Sequence, residues 1–309
     1  MKILLLGANG QLGRTFVEEG GLAARGELVV ATRDGTLWNG ERAEVADLAV
    51  PGWDALLERL RPDVIVNAAA YTAVDRAEQD EALAKRINGQ AVGELGAWAA
   101  AHDALVLHYS TDYVFDGSAS APYPVDAPTG PLGAYGRSKL AGEHALRDSG
   151  ADHLILRTAW VYAPHGHNFL CTMLRLGAER EELRVVADQF GAPTSTQLIV
   201  RTSLALLDRW LAHPDARAEL RGTHHVVASG HTSWHGFATA IFEEAHARGL
   251  LSRMPRVLPI ATADYPTPAR RPAWSVLDNR STARKAGVAL PDWRNGLAEV
   301  MEQLAHRTH

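Results

Sequence analysis

Tyr135 and Lys139 are the ends of Tyr135-Gly136-Arg137-Ser138-Lys139, a segment that opens an amphipathic stretch. On a helix, an i, i+4 spacing stacks two side chains on one face. A free phenol titrates near pH ~10, and an adjacent ammonium stabilises phenolate, drawing that value toward neutral pH, where proton transfer is efficient. Tyr135 therefore suits a general acid, with Lys139 as its electrostatic partner. The pair alone is common by chance. Thr111 adds a second hydroxyl, within Ser110-Thr111-Asp112-Tyr113-Val114-Phe115-Asp116-Gly117, directly after the apolar run Leu105-Val106-Leu107. In an open parallel sheet, ligands bind at the carboxyl ends of strands. A hydroxyl placed there can donate to a carbonyl oxygen as it becomes an alkoxide. Ser110 and Thr111 could also be plain helix caps.

Gly7-Ala8-Asn9-Gly10-Gln11-Leu12-Gly13 follows the run Ile3-Leu4-Leu5-Leu6 and precedes a helix candidate. Glycines there permit a tight turn and let backbone N–H groups approach a pyrophosphate at the helix N-terminus. The segment reads as a dinucleotide site. Its G-x-x-G-x-x-G spacing resembles the extended short-chain dehydrogenase/reductase superfamily. Arg33 and Asp34 lie about 20 residues further on, where a cation accepts a 2′-phosphate and a carboxylate bonds a free ribose hydroxyl. Arg33 favours NADPH, and Asp34 keeps NADH open.

The elements that must position these groups alternate. Ile3–Leu6, Leu28–Ala31, Val64–Val66, Leu105–Leu107 and Leu154–Leu156 are strand candidates, and their continuous apolar runs suit strands buried on both faces of a parallel sheet. Helix candidates lie around 11–24, 53–60, 80–101 and 135–148. The fold class is α/β, a Rossmann-type doubly wound parallel sheet. After residue 160 the alternation loosens, with helix candidates near 168–178, 197–211, 234–248 and 293–305. This divides the chain into a cofactor-binding domain, 1–160, and a smaller C-terminal substrate-binding lobe, 161–309, interwoven with the first.

Composition narrows the function classes. With 309 residues, 46% hydrophobic and 22% charged, the chain has the profile of a globular protein. A formal net charge of -5 gives no electrostatic reason to bind nucleic acid or an anionic membrane. No apolar run is long enough to span a bilayer, and the N-terminal run is too short for a secretory signal. Cys171 is the only cysteine, so no intrachain disulfide forms, and a reducing, cytoplasmic setting fits best. Of the 14 histidines, His165, His167, His224, His225, His231 and His235 invite a metal reading, but none forms a recognised ligand pattern. They are expected on loops and the surface.

Six segments join the glycine turn in a more specific pattern. They are Asn67-Ala68-Ala69-Ala70-Tyr71-Thr72, Ser110–Gly117, Tyr135-x3-Lys139, Arg157-Thr158-Ala159-Trp160-Val161-Tyr162, Asp188-Gln189-Phe190-Gly191-Ala192-Pro193-Thr194 and Tyr265-Pro266-Thr267-Pro268-Ala269-Arg270-Arg271-Pro272. Together they closely resemble the dTDP-4-dehydrorhamnose reductase family, nearly end to end. The resemblance implies reduction of the C4 keto group of dTDP-4-dehydro-L-rhamnose to dTDP-L-rhamnose by hydride from NADPH or NADH. It makes a dTDP-linked 4-keto-6-deoxy sugar the partner molecule, Tyr135 the proton donor and Thr111 a second carbonyl donor. Lys139 would lower the tyrosine pKa and hold the nicotinamide ribose. Thr72, Tyr113 and Trp160 would embrace the sugar, though core packing also suits both aromatics. Gly7, Gly10, Gln11, Leu12 and Gly13 would hold the pyrophosphate, Asp47 and Leu48 would lie near the adenine, and Ala68, Ala69 and Tyr71 would line the cofactor groove. Between Arg270 and Arg271, the second is the candidate for the substrate pyrophosphate.

Departures from related patterns sharpen this. Sugar dehydratases of the superfamily carry an Asp-Glu pair after the threonine; here it is Asp112-Tyr113, which favours simple reduction. Some family members bridge a dimer through Mg²⁺ with a Glu two residues beyond the glycine motif, and Thr15 stands there instead. A hydroxyl is a poor ligand for a hard cation, so no metal is expected and the assembly, a homodimer included, stays open. Two alternatives remain: 4-ketoreduction of another dTDP-deoxysugar, and a non-catalytic nucleotide-binding regulatory subunit like the β subunit of methionine adenosyltransferase, which shares the fold.

Overall fold

A computed structural model describes residues 1–308, with side chains through His306. The strands are β1 (Lys2–Leu6), β2 (Glu27–Thr32), β3 (Glu44–Val45), β4 (Val64–Asn67), β5 (Leu105–Thr111), β6 (Asp152–Thr158), β7 (Val161–Tyr162), β8 (Glu182–Val186), β9 (Phe190–Gly191), β10 (Thr194–Ser195), β11 (Gly222–His225), β12 (Thr232–Ser233) and β13 (Arg256–Ile260). The helices are α1 (Gln11–Glu19), α2 (Ala55–Leu60), α3 (Val74–Ala77), α4 (Glu81–Lys85), α5 (Ala91–Ala101), α6 (Ala134–Asp148), α7 (Phe169–Glu179), α8 (Thr196–Ala212), α9 (Arg217–Leu220), α10 (Trp234–Ala247), α11 (Arg280–Ala286) and α12 (Trp293–Thr308).

Seven strands form one parallel sheet in the order β11-β6-β5-β4-β1-β2-β3. The two-residue side-chain period of a strand divides its apolar residues between two cores. Ile3, Leu5, Val64, Val66, Leu105, Leu107, Leu154 and Leu156 face one side, where Ile199, Val200, Leu206, Leu207 and Trp210 of α8 cover them. Leu4, Leu6, Ile65, Val106 and Ile155 face the other, beneath Leu56 and Leu57 of α2 and Val92, Leu95 and Trp98 of α5. The chain order reverses direction at β1, and such a switch point opens a crevice at the carboxyl ends of the strands.

A third core joins α7, α10 and α12 to the parallel pair β8 and β13 through Leu170, Met173, Leu183, Val185, Phe237, Ile241, Phe242, Leu297 and Met301. Residues beyond 160 do not all stay in this unit: α8 covers the main sheet, and β11 extends it beside β6. The expected helix over 80–101 is interrupted, since Arg86–Gln90 forms a π turn between α4 and α5. That turn presents Asn88, whose Oδ1 accepts from Tyr71 N at 2.8 Å and whose Nδ2 donates to Tyr71 O at 3.0 Å and Ser138 Oγ at 2.9 Å. A π turn re-aims one side chain at little cost to the helix around it. His224 and His225, expected on a loop or the surface, are instead buried in β11.

Helix α6 is fixed over β5 and β6 by a buried charge. Glu143 accepts from Ser110 Oγ at 2.6 Å, from Arg157 Nε at 2.9 Å and Nη2 at 2.8 Å, and from Arg147 Nη2 at 2.6 Å. Burial alone would push this carboxyl up, but Arg157, Ser110 and Arg147 outweigh it and hold it below the usual carboxylate range. A depressed folded-state value means stability present above the unfolded carboxyl pKa of about 4.3 and lost as pH falls through the folded value. Glu143→Ala strands Arg157 without its counter-charge and should cost about 3–5 kcal/mol. The check is the urea midpoint at constant slope; an unmoved midpoint would show that the ion pair does not hold α6.

Candidate active site

The turn between β1 and α1 is shaped by contacts that exclude side chains. Gly7 has φ 78°, and a Cβ there would lie 2.6 Å from Ala69 N. A Cβ at Gly13 would lie 2.2 Å from the Gly7 carbonyl oxygen. The turn therefore closes against both the start of α1 and Ala68–Ala69 at the end of β4. No side chain caps α1 at Gly10, so the helix N-terminus is left to an anionic ligand, with its positive dipole end facing the crevice. Gln11 Oε1 accepts from Asn168 Nδ2 at 2.8 Å, an amide that also caps α7, and Leu12 packs partly buried against the core.

The end of β2 separates the two charged residues there. Asp34 Oδ1 accepts from Thr32 Oγ1 at 3.2 Å and from Thr36 N at 3.3 Å, closing its own turn. Arg33 is exposed and makes no hydrogen bond or ion pair among the described residues. A free guanidinium beside an occupied carboxylate fits a 2′-phosphate better than a bare ribose. Asp47 is likewise held in a turn, accepting from Ala49 N at 3.0 Å, while the Leu48 side chain is buried with Trp53 and Leu56. Any contact of Leu48 with an adenine must therefore come from its backbone.

Across the crevice, Tyr135 in the first turn of α6 lies beside the Thr111 hydroxyl at the end of β5, near enough for that hydroxyl to ease the phenol's ionisation. The two side chains meet as their sequence context implies. Thr111 Oγ1 also accepts from Tyr113 N at 3.2 Å and donates to Asp112 Oδ1 at 3.0 Å, so it caps the short 3₁₀ turn Asp112–Val114 as well. Asp112 is buried, which lifts its carboxyl to about 6 against the hydrogen bond from Thr111. The Tyr113 ring stands edge-on to Tyr135 at 5.6 Å.

Burial pushes the Tyr135 phenol up to about 12, eased by Thr111 and reinforced by Asp112. The helix face shared by Tyr135 and Lys139 turns inward along its length, so Lys139 is 2% exposed and its Nζ meets His108 Nε2 at 3.4 Å instead. Burial pushes Lys139 down to about 8, opposed by Glu143. His108 went unread in the sequence, where it continues the apolar run of β5. Its signal is a histidine within a strand buried on both faces. Asn88 and Glu78 were also missed; Glu78 Oε1 accepts from Ala134 N at 2.8 Å and caps α6 where no local side chain does.

Of the other expected residues, Tyr71 packs with Tyr135 against Ala77, Ala84 and Ala134. Tyr71 OH donates to Asp80 Oδ2 at 3.1 Å, and Thr72 is exposed beside it. Trp160 has φ 47° and stacks on Trp234 at 3.5 Å. Arg271 Nη2 donates to Asp75 Oδ2 at 2.9 Å, and its charge is felt by Tyr113. Arg270 is exposed. Thr15 is buried and hydrogen-bonds Thr196 Oγ1 at 2.9 Å, between α1 and α8. Among the described residues no group of three or more His, Cys, Asp and Glu gathers as metal ligands, and no helix is long and apolar enough to cross a membrane.

Comparison with known proteins places this arrangement among relatives. A family model described as the RmlD substrate binding domain matches residues 1–306. A dTDP-4-dehydrorhamnose reductase of Burkholderia thailandensis is 48% identical, over 98% of this chain and 99% of the relative. The Escherichia coli K12 protein of that name is 41% identical over 98% of each. A crystal structure of a dTDP-4-dehydrorhamnose reductase from Clostridium acetobutylicum superposes with TM-score 0.86 at 34% identity, covering 98% of this chain and 99% of that one. One from Bacillus anthracis, in complex with NADP, gives 0.83 at 31% identity over the same shares.

The glycine turn yields its own test. Gly13→Ala forces the Gly7 carbonyl or α1 to move, a strain of about 1–3 kcal/mol. Dinucleotide affinity, followed by fluorescence titration, should fall roughly tenfold or more, and unchanged affinity would refute the close approach.

Proposed function

The chain belongs to the dTDP-4-dehydrorhamnose reductase family, and from that membership we propose how its own side chains carry the family's reaction. The reaction is reduction of the C4 keto group of dTDP-4-dehydro-L-rhamnose to dTDP-L-rhamnose, with NADPH as reductant, in dTDP-rhamnose biosynthesis. The bound dihydronicotinamide supplies the hydride. Gly7, Gly10, Gln11, Leu12 and Gly13 hold its pyrophosphate at the uncapped start of α1, Arg33 takes the 2′-phosphate, and Asp47 with the Leu48 backbone borders the adenine. Ala68, Ala69 and Tyr71 line the groove between.

Hydride arrival leaves negative charge on the substrate oxygen, and Tyr135 neutralises it with its phenolic proton. A phenol raised to about 12 is fully protonated at neutral pH, which suits a donor. Thr111 is the second hydroxyl at that oxygen. Its one proton faces Asp112 here, so donating to substrate requires the hydroxyl to turn. Lys139 would hold the nicotinamide ribose. Thr72, Tyr113 and Trp160 enclose the sugar, and Arg271, oriented by Asp75, meets the substrate pyrophosphate. Residues 161–309 supply this substrate side, interwoven with 1–160 through α8 and β11. The observation that carries the reading is the Tyr135–Thr111 contact at the carboxyl edge of the sheet that also ends in the glycine turn.

Tyr135→Phe should lower kcat about 10²- to 10⁴-fold with NADPH affinity nearly unchanged, since only proton donation is lost. The assay is loss of reduced-nicotinamide absorbance with dTDP-4-dehydro-L-rhamnose; wild-type kcat in the variant would remove Tyr135 from the chemistry. Arg33→Ala should raise KM for NADPH about 10-fold or more and leave KM for NADH nearly unmoved. Equal changes for both would place the 2′-phosphate elsewhere.

A further inference from the structure

Behind Lys139 lies a line of buried groups that the proposed reaction does not use. Ala69 N, an obligate donor, donates to Asn67 Oδ1 at 3.2 Å. This settles which end of the amide faces inward: reversing it would set two N–H donors against each other. Asn67 Nδ2 therefore points at His108 Nδ1, at 3.1 Å, and Nδ1 must accept. His108 is fully buried, and burial together with Lys139 holds it neutral, well below the ordinary imidazole value. A neutral imidazole with an accepting Nδ1 carries its proton on Nε2. That N–H faces Lys139 Nζ at 3.4 Å. An ammonium has three donors and no acceptor, whereas a neutral amine offers a lone pair.

We infer that Asn67 and His108 are positioning residues for Lys139: the amide fixes the imidazole as its Nε2–H tautomer, and that N–H favours the neutral amine. Every bond in the line then has one donor and one acceptor, from the Ala69 backbone through Asn67 and His108 to Nζ. With a charged lysine, the last pair becomes donor against donor.

The other charged groups near Lys139 weigh on both sides. Glu143, one turn along α6, favours the ammonium, but its carboxylate is already shared by Arg157 of β6 and by Arg147. Tyr135, one turn back, is neutral. The histidine tautomer thus acts in the same direction as burial, and the resting lysine is poised to exchange a proton near pH 8. This builds on the role proposed for Lys139 but concerns the protein without cofactor, so it can be tested apart from turnover.

The lysines are Lys2, Lys85, Lys139 and Lys285, few enough for Lys139 to be followed by side-chain nitrogen NMR in ¹⁵N-lysine-labelled protein. Asn67→Asp keeps an acceptor for Ala69 N but offers His108 an acceptor too. The imidazole proton then moves to Nδ1, and Nε2 becomes an acceptor for the ammonium. Because imidazole is the weaker base, the proton stays on the lysine. The Lys139 midpoint should rise by about one pH unit or more, and a midpoint that does not move overturns the inference. A new carboxylate could raise it by charge alone, so the substitution is repeated with His108→Phe. The shift should shrink to less than half; a shift of equal size would overturn the tautomer relay. Should Asn67→Asp not fold, long-range ¹H–¹⁵N correlation in the unaltered protein reads the tautomer directly. Nε2-protonated His108 is expected, and Nδ1-protonated His108 overturns the inference.

Discussion

The anchoring of α6 by Glu143 is the constraint on which the site depends. A carboxylate removed from water is tolerated only when its charge and lone pairs are matched, and Ser110, Arg147 and Arg157 match them from β5, α6 and β6. Those bonds permit little sliding of the helix along the sheet. With α6 fixed, Lys139 one turn before Glu143 must lie over His108, and Tyr135 one turn earlier must emerge at Thr111. A surface pair of charges would give the same contact on paper and far less positional control, because exposed ion pairs contribute little.

Position, rather than a favourable resting pKa, is what the fold supplies to Tyr135. Burial raises the phenol, and the lysine four residues on is engaged below it. The phenol is therefore protonated at neutral pH. Spacing on a helix fixes the face on which two side chains lie, but a face that curves from solvent into a core can give neighbouring residues different partners. Tyr135 and Lys139 are such a case.

Much of this was legible in the sequence because it rests on local pattern. The five apolar runs became β1, β2, β4, β5 and β6, and the glycine spacing announced a turn whose contacts exclude a Cβ at Gly7 and Gly13. The helix signals at 135–148, 197–211 and 234–248 matched α6, α8 and α10 within a residue or so. What escaped depends on tertiary partners. β11, Gly-Thr-His-His, has little strand character of its own and is strand because β6 offers an open edge. The π turn at Arg86–Gln90 interrupts a good helical pattern so that Asn88 can reach Tyr71 and Ser138. His108 sits among leucines and valines, and only the neighbouring strand and helix reveal that it meets Asn67 and Lys139.

The junction between the sheet and the third core shows the same logic in the backbone. Trp160 follows β6 with φ 47°, a left-handed conformation that costs a bulky residue about 1–3 kcal/mol. Its indole is stacked on Trp234 of α10 with planes 3° apart, and a Cβ at Gly191 would lie 2.4 Å from that ring. Thr194 N donates to its carbonyl at 3.2 Å, joining the same residue to the strand pair β7 and β10. Elements on both sides of the chain therefore over-determine one strained residue, and relaxing it would mean unstacking two tryptophans. The bend that this strain maintains carries the chain from the end of β6 into the unit built on α7, α10 and α12, so that unit leaves the sheet from a point that cannot turn freely.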